Sequence, residues 1–351
     1  MLRPICGKFE LRALFALIAF CSFVAGAETS YSQDSERDLC KSHAQGSIQC
    51  DLVSRSNVCN RRLNSSYYVR ADAISLRISE LRGVPLVLNV STLAPELTVR
   101  DLGYPFQTGT RMTIGKCLSS GSALEATYFG LMQWSSTATA TDPNNLRLPG
   151  DLGLATDDFF GADSMTVSQK TQIHNAELNY ITPYSNSLQL LAGLRYFNLS
   201  EQSNLHSIDS DGEESDYRVT AGNHLIGGQV GVLKNISRGK WVISPLGKAG
   251  IYGNVQRAST FLGDFDNSVI LRDLTLSQGN VSFLGEAGIN GAYFFNKKVA
   301  IRGGYNNYLL TGIARGTSQF DFTDTPGSST TIKDNDVAFI HGFNGGIEFR
   351  W

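Results

Sequence analysis

The sequence predicts an all-β fold, a transmembrane antiparallel up-and-down β-barrel of about ten strands (roughly 8–12), with short periplasmic turns and long outer loops. Three observations predict it: the pattern of the last strand, an export leader, and the order of short and long connections. The stretch 337–351 alternates large apolar residues with small or polar residues and ends on Trp351. This period of two indicates a strand with one apolar and one polar face. Transmembrane strands have this pattern over about 9–11 residues, with aromatic residues at the interfaces.

The chain begins with an export leader. Residues 1–12 carry three basic side chains, an apolar run extends from 13 to 24, and Ala25-Gly26-Ala27 matches an A-x-A cleavage pattern. This order predicts a secretory signal peptide over 1–27. No later stretch has about 18 uninterrupted apolar residues, the length that a spanning helix needs. A mature chain that spans a membrane therefore has to be a closed barrel, which leaves no backbone group unpaired in lipid.

The composition fits a barrel. The chain has 35 Gly, 13 Tyr and 19 Phe, and its hydrophobic fraction is an ordinary 42%. An ordinary fraction is expected because half of each barrel strand faces a polar interior. The net charge of -2 argues against a nucleic-acid partner. We predict no cofactor and no metal, and the sequence makes no prediction of the oligomeric state.

The mature chain keeps four cysteines: Cys40, Cys50, Cys59 and Cys117. An even number in an exported chain favours disulfides. Four cysteines allow three pairings, and their spacing selects none of them. Free thiols are one alternative; a metal site is another, although the spacings are long and His43 alone lies nearby. We interpret 28–65 as a cysteine-containing periplasmic extension and 66–351 as the outer-membrane barrel.

Ten segments show strand alternation. They are a first strand from Tyr67 and then 109–117, 123–134, 165–181, 187–202, 217–236, 240–261, 280–294, 298–313 and 337–351. The connections alternate between short turns and long loops. The short ones are 118–122, 182–186, 237–239 and 296–297; the long ones are 81–108, 135–164, 203–216, 262–279 and 314–336. Outer-membrane barrels have this alternation, and an even strand number places both termini in the periplasm. A lipocalin-like soluble barrel would instead have its apolar face inside.

Charged residues of both signs lie on the face opposite the apolar one. They are predicted to line the lumen: Arg70, Asp72, Arg111, Glu125, Glu177, Arg195, Lys248, Glu286, Arg302, Glu348 and Arg350. Lipid-facing charges are costly, whereas inside a barrel they pair or meet water. A ten-strand barrel is narrow, because about eight strands leave room only for side chains. Two interpretations stay open: a lumen that sets selectivity, and a structural core of ion pairs.

Two predicted outer loops are acidic. They carry Asp142, Asp151, Asp157, Asp158 and Asp163 in one and Asp209, Asp211, Glu213, Glu214 and Asp216 in the other. Calcium is a conceivable ligand, but no D-x-D-x-D-G signature is present, so we interpret them as solvated loops. The histidines are His43, His174, His206, His224 and His341. No G-x-S-x-G motif accompanies them, and we predict that the protein is not an enzyme.

Several stretches resemble a known family. They are Pro143–Asp163, Tyr68–Ile74, Leu124–Trp134, Leu190–Glu201, Gly247–Asn254 and the ending HGFNGGIEFRW. Together they resemble the planctomycete-type outer-membrane β-barrel proteins of the porin-7-like group. The resemblance covers about 67–351 and leaves out the cysteine-rich extension. It implies an outer-membrane barrel with a porin-like role and no catalytic residues.

The predicted function is therefore a porin-like outer-membrane barrel, either a narrow passive pore or a plugged structural barrel. Its expected partners are outer-membrane lipid and the barrel insertion machinery, which reads the C-terminal strand ending in Trp351. The first alternative is a surface interaction or adhesion barrel that acts through its long acidic outer loops. The second is a hydrolase with its site at the barrel rim.

Overall fold

The structure is a computed structural model that describes Cys59 and residues 67–79, 83–118 and 121–351. The predicted signal peptide, Cys40, His43, Cys50 and all of the predicted extension except Cys59 lie outside the described residues.

Thirteen strands form one sheet. They are β1 (Tyr67–Ser79), β2 (Pro85–Asn89), β3 (Pro95–Thr98), β4 (Gln107–Cys117), β5 (Ala123–Arg147), β6 (Phe160–Pro183), β7 (Leu188–Ile208), β8 (Glu214–Lys234), β9 (Ile236–Arg238), β10 (Trp241–Asp264), β11 (Val269–Phe294), β12 (Val299–Ile313) and β13 (Asp336–Arg350). Ten of these strands form a closed antiparallel barrel, because the first strand pairs with the last, as between Tyr68 and Arg350. The predicted fold class is confirmed. The short strands β2, β3 and β9 are additions to the barrel wall.

The strands of the barrel are staggered. Partner-by-partner pairing from Tyr68 once around the barrel leads to Ala338 on β13. The next residue of β13, Phe339, pairs with Ser79 of β1. The circuit thus returns to β1 about 12 residues beyond its start, a stagger that goes with strands tilted by roughly 35–45° to the barrel axis. The tilt brings interior side chains from different positions along their strands to one level.

The outside of the barrel is an apolar band. Leu194, Ile226, Ile251 and Val281 are 64%, 67%, 68% and 67% exposed. Aromatic pairs lie at the periplasmic end, including Tyr67 stacked on Trp351 with ring centroids 6.1 Å apart. Exposed apolar side chains of this extent require lipid as their solvent, and interfacial aromatic residues mark the edges of the band. The chain is a transmembrane barrel.

In the described residues, helical structure is confined to short segments. These are the helix α1 (Leu152–Ala155) and two 3-10 turns, Val99–Asp101 and Thr317–Gln319. Within the described part of the chain, no helix has the length and apolar character needed to cross a membrane.

On the outer side the strands continue past the bilayer. β5 has 25 residues and β11 has 26, whereas crossing the hydrocarbon takes about 9–11. Strand pairing therefore fills most of the predicted loops 135–164, 203–216 and 262–279, and two of them shrink to tight turns after Ile208 and Asp264. The sequence did not show this, because above the lipid both faces of these strands carry many polar residues. Only the β1–β4 and β12–β13 connections are long in the described residues.

The two largest apolar clusters of the described residues occupy the middle and the outer part of the interior. The inner cluster lies at mid-barrel and contains side chains from strands all around the wall, among them Ile74, Phe129, Phe197 and Tyr308. The outer cluster lies nearer the outer mouth, where the β2–β3 hairpin, the β5–β6 connection and the β12–β13 segment pack together. We call these the mid-barrel layer and the outer layer. The interior below them, toward the periplasm, is charged.

Candidate functional site: the barrel interior

The structure places the predicted lumen charges in the interior of the periplasmic half. These charged residues are Arg70, Asp72, Arg111, Glu125, Glu177, Arg195, Lys248, Glu286, Arg302, Glu348 and Arg350. Eight of them are buried, including Arg195 and Glu348, each 1% exposed. Arg70, Arg111 and Arg302 have side chains that are 14%, 13% and 17% exposed. Each of the eleven lies in a described ion pair, and these pairs form three groups.

The first group joins four strands near the middle of the bore. Arg195 on β7 lies 3.6 Å from Glu177 on β6 and 2.9 Å from Glu286 on β11. Lys248 on β10 lies 2.9 Å and 3.3 Å from the same two carboxylates. Gln229 adds a hydrogen bond to Glu177 at 2.8 Å. Two cations and two carboxylates alternate, so each buried charge has partners of the opposite sign, which is what makes its burial tolerable.

The second group lies nearer the periplasmic end and is centred on Glu348. Its carboxylate accepts hydrogen bonds from Arg70 at 3.1 Å, from Arg350 at 2.5 Å and from Arg302. Arg70 also pairs with Glu125 at 2.9 Å. The cluster therefore bridges β1, β5, β12 and β13, the strands around the closure of the barrel.

The second group also includes Tyr68, whose ring requires a glycine at position 115. The Tyr68 hydroxyl donates to Glu125 at 2.8 Å. Its ring lies directly over Gly115, where an added Cβ would come within 1.9 Å of the ring. Any side chain at position 115 would displace Tyr68, so this close approach explains the glycine.

The third group is a single ion pair. Arg111 and Asp72, 2.8 Å apart, link β4 to β1 between the other two groups.

The charged half encloses a cavity of about 120 Å³. It extends from Cys59 and Gly121 at the periplasmic end to Phe129 and Tyr308. Glu125, Lys248 and other members of the ion pairs line its wall. Phe129 and Tyr308 belong to the mid-barrel layer, and their rings are 5.5 Å apart. The cavity is thus a pocket on the periplasmic side that ends at an apolar layer.

At the outer mouth, the β12–β13 segment folds into the barrel. Asn223 forms two hydrogen bonds with Ala314, the first residue of this segment. Its Nδ2 donates to the Ala314 carbonyl at 2.7 Å, and its Oδ1 accepts from the Ala314 amide at 2.8 Å. Glu201 binds Arg315 at 2.9 Å and accepts from the Gly316 amide at 2.7 Å. The Tyr217 ring packs against Phe320 with centroids 4.9 Å apart. The segment therefore packs inside the outer mouth, above the mid-barrel layer.

Sequence reasoning missed Glu201, Asn223 and Tyr217 as interior residues. A signal was present, because Glu201 shares the phase of Arg195 on β7 and Asn223 shares the phase of Gln229 on β8. All three residues lie within the predicted strands 187–202 and 217–236, so following the phase of Arg195 and Gln229 to the outer ends of these strands would have found them. The docking of residues 314–335 leaves no such pattern.

A disulfide joins Cys59 to Cys117, with Cα atoms 5.2 Å apart. It ties the end of the N-terminal extension to the periplasmic end of β4. For these two cysteines the free-thiol and metal alternatives are therefore wrong. Cys40 and Cys50 lie outside the described residues, so their pairing stays a prediction.

Three histidines lie on the outside of the barrel beside tyrosines. His174 Nδ1 is 2.9 Å from the Tyr128 hydroxyl, and the corresponding distance from His224 to Tyr196 is also 2.9 Å. His341 is 2.6 Å from the Tyr305 hydroxyl. His206 contacts Asp216 at 3.1 Å above the bilayer. His43 is not described, and the prediction that the protein is not an enzyme stays a prediction.

The acidic residues of the outer turns are not all solvated. Asp158 is fully buried, so its interpretation as a solvated loop residue is wrong. It lies beneath the β7–β8 turn. Its backbone amide and that of Asp157 both donate to the carboxylate of Asp264, the last residue of β10, at 3.0 Å. Burial, together with the carboxylates of Asp158, Asp266 and Asp209, raises the pKa of Glu213 in the same turn. Three outer turns pack together and bury a carboxylate that the sequence alone places in a solvated loop.

No family model and no curated protein matches the chain. Among solved structures, the translocator domain of the autotransporter NalP from Neisseria meningitidis is 10% identical, with a TM-score of 0.39, 95% of this chain covered and 100% of that one. The outer membrane protease OmpT from Escherichia coli is 8% identical, with a TM-score of 0.38 and coverage of 82% and 97%. The P. putida toluene transporter TodX is 8% identical, with a TM-score of 0.30 and coverage of 82% and 90%. Likeness this distant carries no argument about activity.

Proposed function

We propose that the protein is an outer-membrane β-barrel whose bore is closed to solutes, so that it is a structural barrel of the envelope rather than an open porin. The observation that carries the proposal is the stack of the mid-barrel layer, the outer layer and the docked β12–β13 segment above the ion pairs. The plugged form of the predicted porin-like barrel is thus the one that the geometry favours.

The outer membrane is the location that best fits the chain. The predicted leader directs export, and the apolar band with its aromatic edge fits a lipid bilayer. Helices span most inner membranes, whereas closed barrels with an even number of strands are the form of bacterial outer membranes. The resemblance to porin-7-like barrels points the same way and stays a prediction.

A closed bore follows from the interior packing. Ions need a continuous path of water, and the mid-barrel layer offers buried apolar side chains instead, with Phe197 and Leu310 each 0% exposed. Desolvating an ion in such surroundings costs many kcal/mol. The cavity on the periplasmic side, although charged, ends at this layer. Binding of a small polar solute from the periplasm is compatible with this geometry, but passage is not.

Conductance in a planar bilayer tests the proposal. We expect the folded wild-type protein, recognised by its heat-modifiable gel mobility, to give no steps. A variant that lacks 316–334 and carries Phe129→Ala, Phe197→Ala and Tyr308→Ala should conduct, because the docked segment with its part of the outer layer is gone and the mid-barrel layer is opened. The matched control keeps the deletion but has its three aromatic-to-alanine changes on the lipid face, Tyr128→Ala, Tyr196→Ala and Phe343→Ala, and should stay silent.

Steady steps from the wild type would overturn the closed-barrel proposal and favour the narrow pore. In that case Arg195→Trp and Arg302→Trp should reduce the step size, because both side chains lie along the bore.

A second candidate is the surface interaction barrel, favoured by the β10–β11 hairpin. The outer part of β11, from Val269 to Ser282, pairs with β10 alone, since pairing with β12 begins at Phe283. The tip exposes Ile270 at 59% and Leu271 at 43%. An unpaired strand edge of this length is a template for another strand. A second copy of the chain offers the same edge with the same apolar tip.

The oligomeric state in detergent tests this second candidate. Sedimentation should show a dimer for the wild type and a monomer for Ile270→Lys/Leu271→Lys. Thr141→Lys, a matched change on the outer part of β5, should leave the dimer intact. A wild-type monomer at all concentrations would rule out pairing between copies.

A further inference from the structure

The outer surface contains a compact group of three carboxylates. Asp158 precedes β6, and Asp209 and Glu213 belong to the β7–β8 turn. One carboxylate oxygen from each lies within 4.8 Å of the other two. Like charges held this close repel one another, so the group needs either bound protons or a cation. Within the described ranges, none of the three forms an ion pair with Lys or Arg.

A second observation separates this group from an ordinary acidic surface. Asp158 is 0% exposed. Its Oδ2 accepts hydrogen bonds from Ser215 Oγ at 2.5 Å and from the Asp266 amide at 3.0 Å, whereas its Oδ1 has no hydrogen-bond partner among the described residues. A buried carboxylate oxygen without a partner is costly. Oδ1 is therefore the oxygen of this side chain that remains for a ligand.

The Asp209 carboxylate is held in position by the turn itself, through bonds that also fix the backbone of Glu213. Asp209 Oδ1 accepts from the amides of Asp211 at 2.9 Å and Glu213 at 2.8 Å. The β10–β11 turn packs against the same place, since the Glu214 amide donates to Asp266 at 2.8 Å. The three turns thus meet around the carboxylates and are linked to one another by hydrogen bonds.

We propose that Asp158, Asp209 and Glu213 form a divalent-cation site whose ion is Ca²⁺. Ca²⁺ takes about 6–8 oxygen ligands in flexible geometry, and carboxylates supplemented by water suit it. Mg²⁺ demands near-octahedral ligands at short distances, which carboxylates spread across separate turns supply less readily. The ion offsets two of the three negative charges of the group, supplies a partner for Asp158 Oδ1 and ties the β5–β6 connection to the β7–β8 turn.

Calorimetric titration of the full-length protein in detergent, freed of metal with a chelator, tests the site. We expect one saturable Ca²⁺ site with a dissociation constant of about 10⁻⁴–10⁻³ M, as in extracellular modules. Glu213→Gln and Asp209→Asn should each weaken binding at least about tenfold, because each removes one ligand charge. Asp211→Asn, an exposed neighbour outside the group, should bind Ca²⁺ like the wild type.

A second readout protects the result from a folding defect. Ca²⁺ should slow proteolysis at the β7–β8 turn in the wild type and in Asp211→Asn but not in Glu213→Gln, with heat-modifiable mobility showing that all three proteins are folded. No saturable heat from the wild type at millimolar Ca²⁺ would overturn the proposal. Undiminished binding by Glu213→Gln would also overturn it, and tighter binding of Mg²⁺ would overturn the assignment of the ion.

Discussion

The periplasmic and outer halves of the barrel interior are built on the same strands but filled with opposite chemistry. In the periplasmic half, charged side chains form ion pairs, such as Arg195 with Glu286 and Glu348 with Arg70. Toward the outside, Phe197 and Leu199, the next two interior positions of β7 after Arg195, belong to the apolar mid-barrel layer. The difference shows that a barrel interior need not be uniformly polar. One half resembles a solvated pocket, and the other resembles the core of a soluble protein.

This division shows that a ten-strand barrel can hold both a charged half and an apolar layer in its interior. Buried charges contribute little net stability even when paired, but they tolerate no missing partner. An apolar layer excludes water and contributes through burial and packing. The charged half should therefore be sensitive to the loss of one partner, and the apolar half to the loss of volume.

The largest effect is expected in the charged half, from Arg195→Met. This change leaves Glu177 and Glu286 with Lys248 as their one remaining cation among the described residues. Breaking a buried pair costs about 3–5 kcal/mol, so urea unfolding in lipid vesicles should show a loss of that size. Arg218→Met, at an exposed pair with Asp216, is the control and should cost no more than about 1 kcal/mol. Equal losses for the two variants would contradict the distinction between buried and exposed pairs.

The next effect tests the apolar half. Leu199→Ala removes a side chain that is 0% exposed in the mid-barrel layer. The cavity left behind should reduce the free energy of unfolding by roughly 2–5 kcal/mol. Leu194→Ala on the lipid face, where the residue is 64% exposed, is the matched control. Lipid chains fill the space there, so its loss should be clearly smaller, and the comparison fails if the lipid-facing change costs as much.

The smallest effect concerns the docked β12–β13 segment and its dependence on pH. Burial opposes charge on Asp321, but hydrogen bonds from the Ser329 amide, the Thr323 hydroxyl and the Thr323 amide lower the pKa of its carboxyl. A lowered pKa means that the ionised group stabilises the fold. That stabilisation is complete above the unfolded value of about 3.9 and is lost as the pH falls through the folded pKa.

Asp321→Asn checks this dependence. The variant should unfold slightly more easily than the wild type at neutral pH, and the difference in free energy of unfolding should shrink as the pH falls from the unfolded value of about 3.9 through the lowered folded pKa. A difference that stays unchanged throughout an acid titration would show that the hydrogen bonds of Asp321 do not depend on its charge.

Much of the barrel could be predicted from local pattern. The alternation in 337–351 predicts β13 and its two faces because a strand turns successive side chains to opposite sides. The same phase predicts Arg195 and Glu286 as interior residues, since a charge on the lipid face is costly. Above the bilayer the alternation of apolar and polar residues is less pronounced, because water replaces lipid outside the barrel and polar residues are acceptable on both faces. That is why the outer ends of β5 to β11 were interpreted as loops.

The sequence by itself determined that this chain forms strands, which side chains face inward, and that the charges inside are nearly balanced. These properties depend on neighbours along the chain and on a single physical cost, the exposure of polar groups to lipid. Only the tertiary structure decided that Cys59 pairs with Cys117, that Asp158 is buried beneath two turns, and that the segment 314–335 packs into the outer mouth. Each of these depends on contacts between segments far apart in sequence, which no local pattern records.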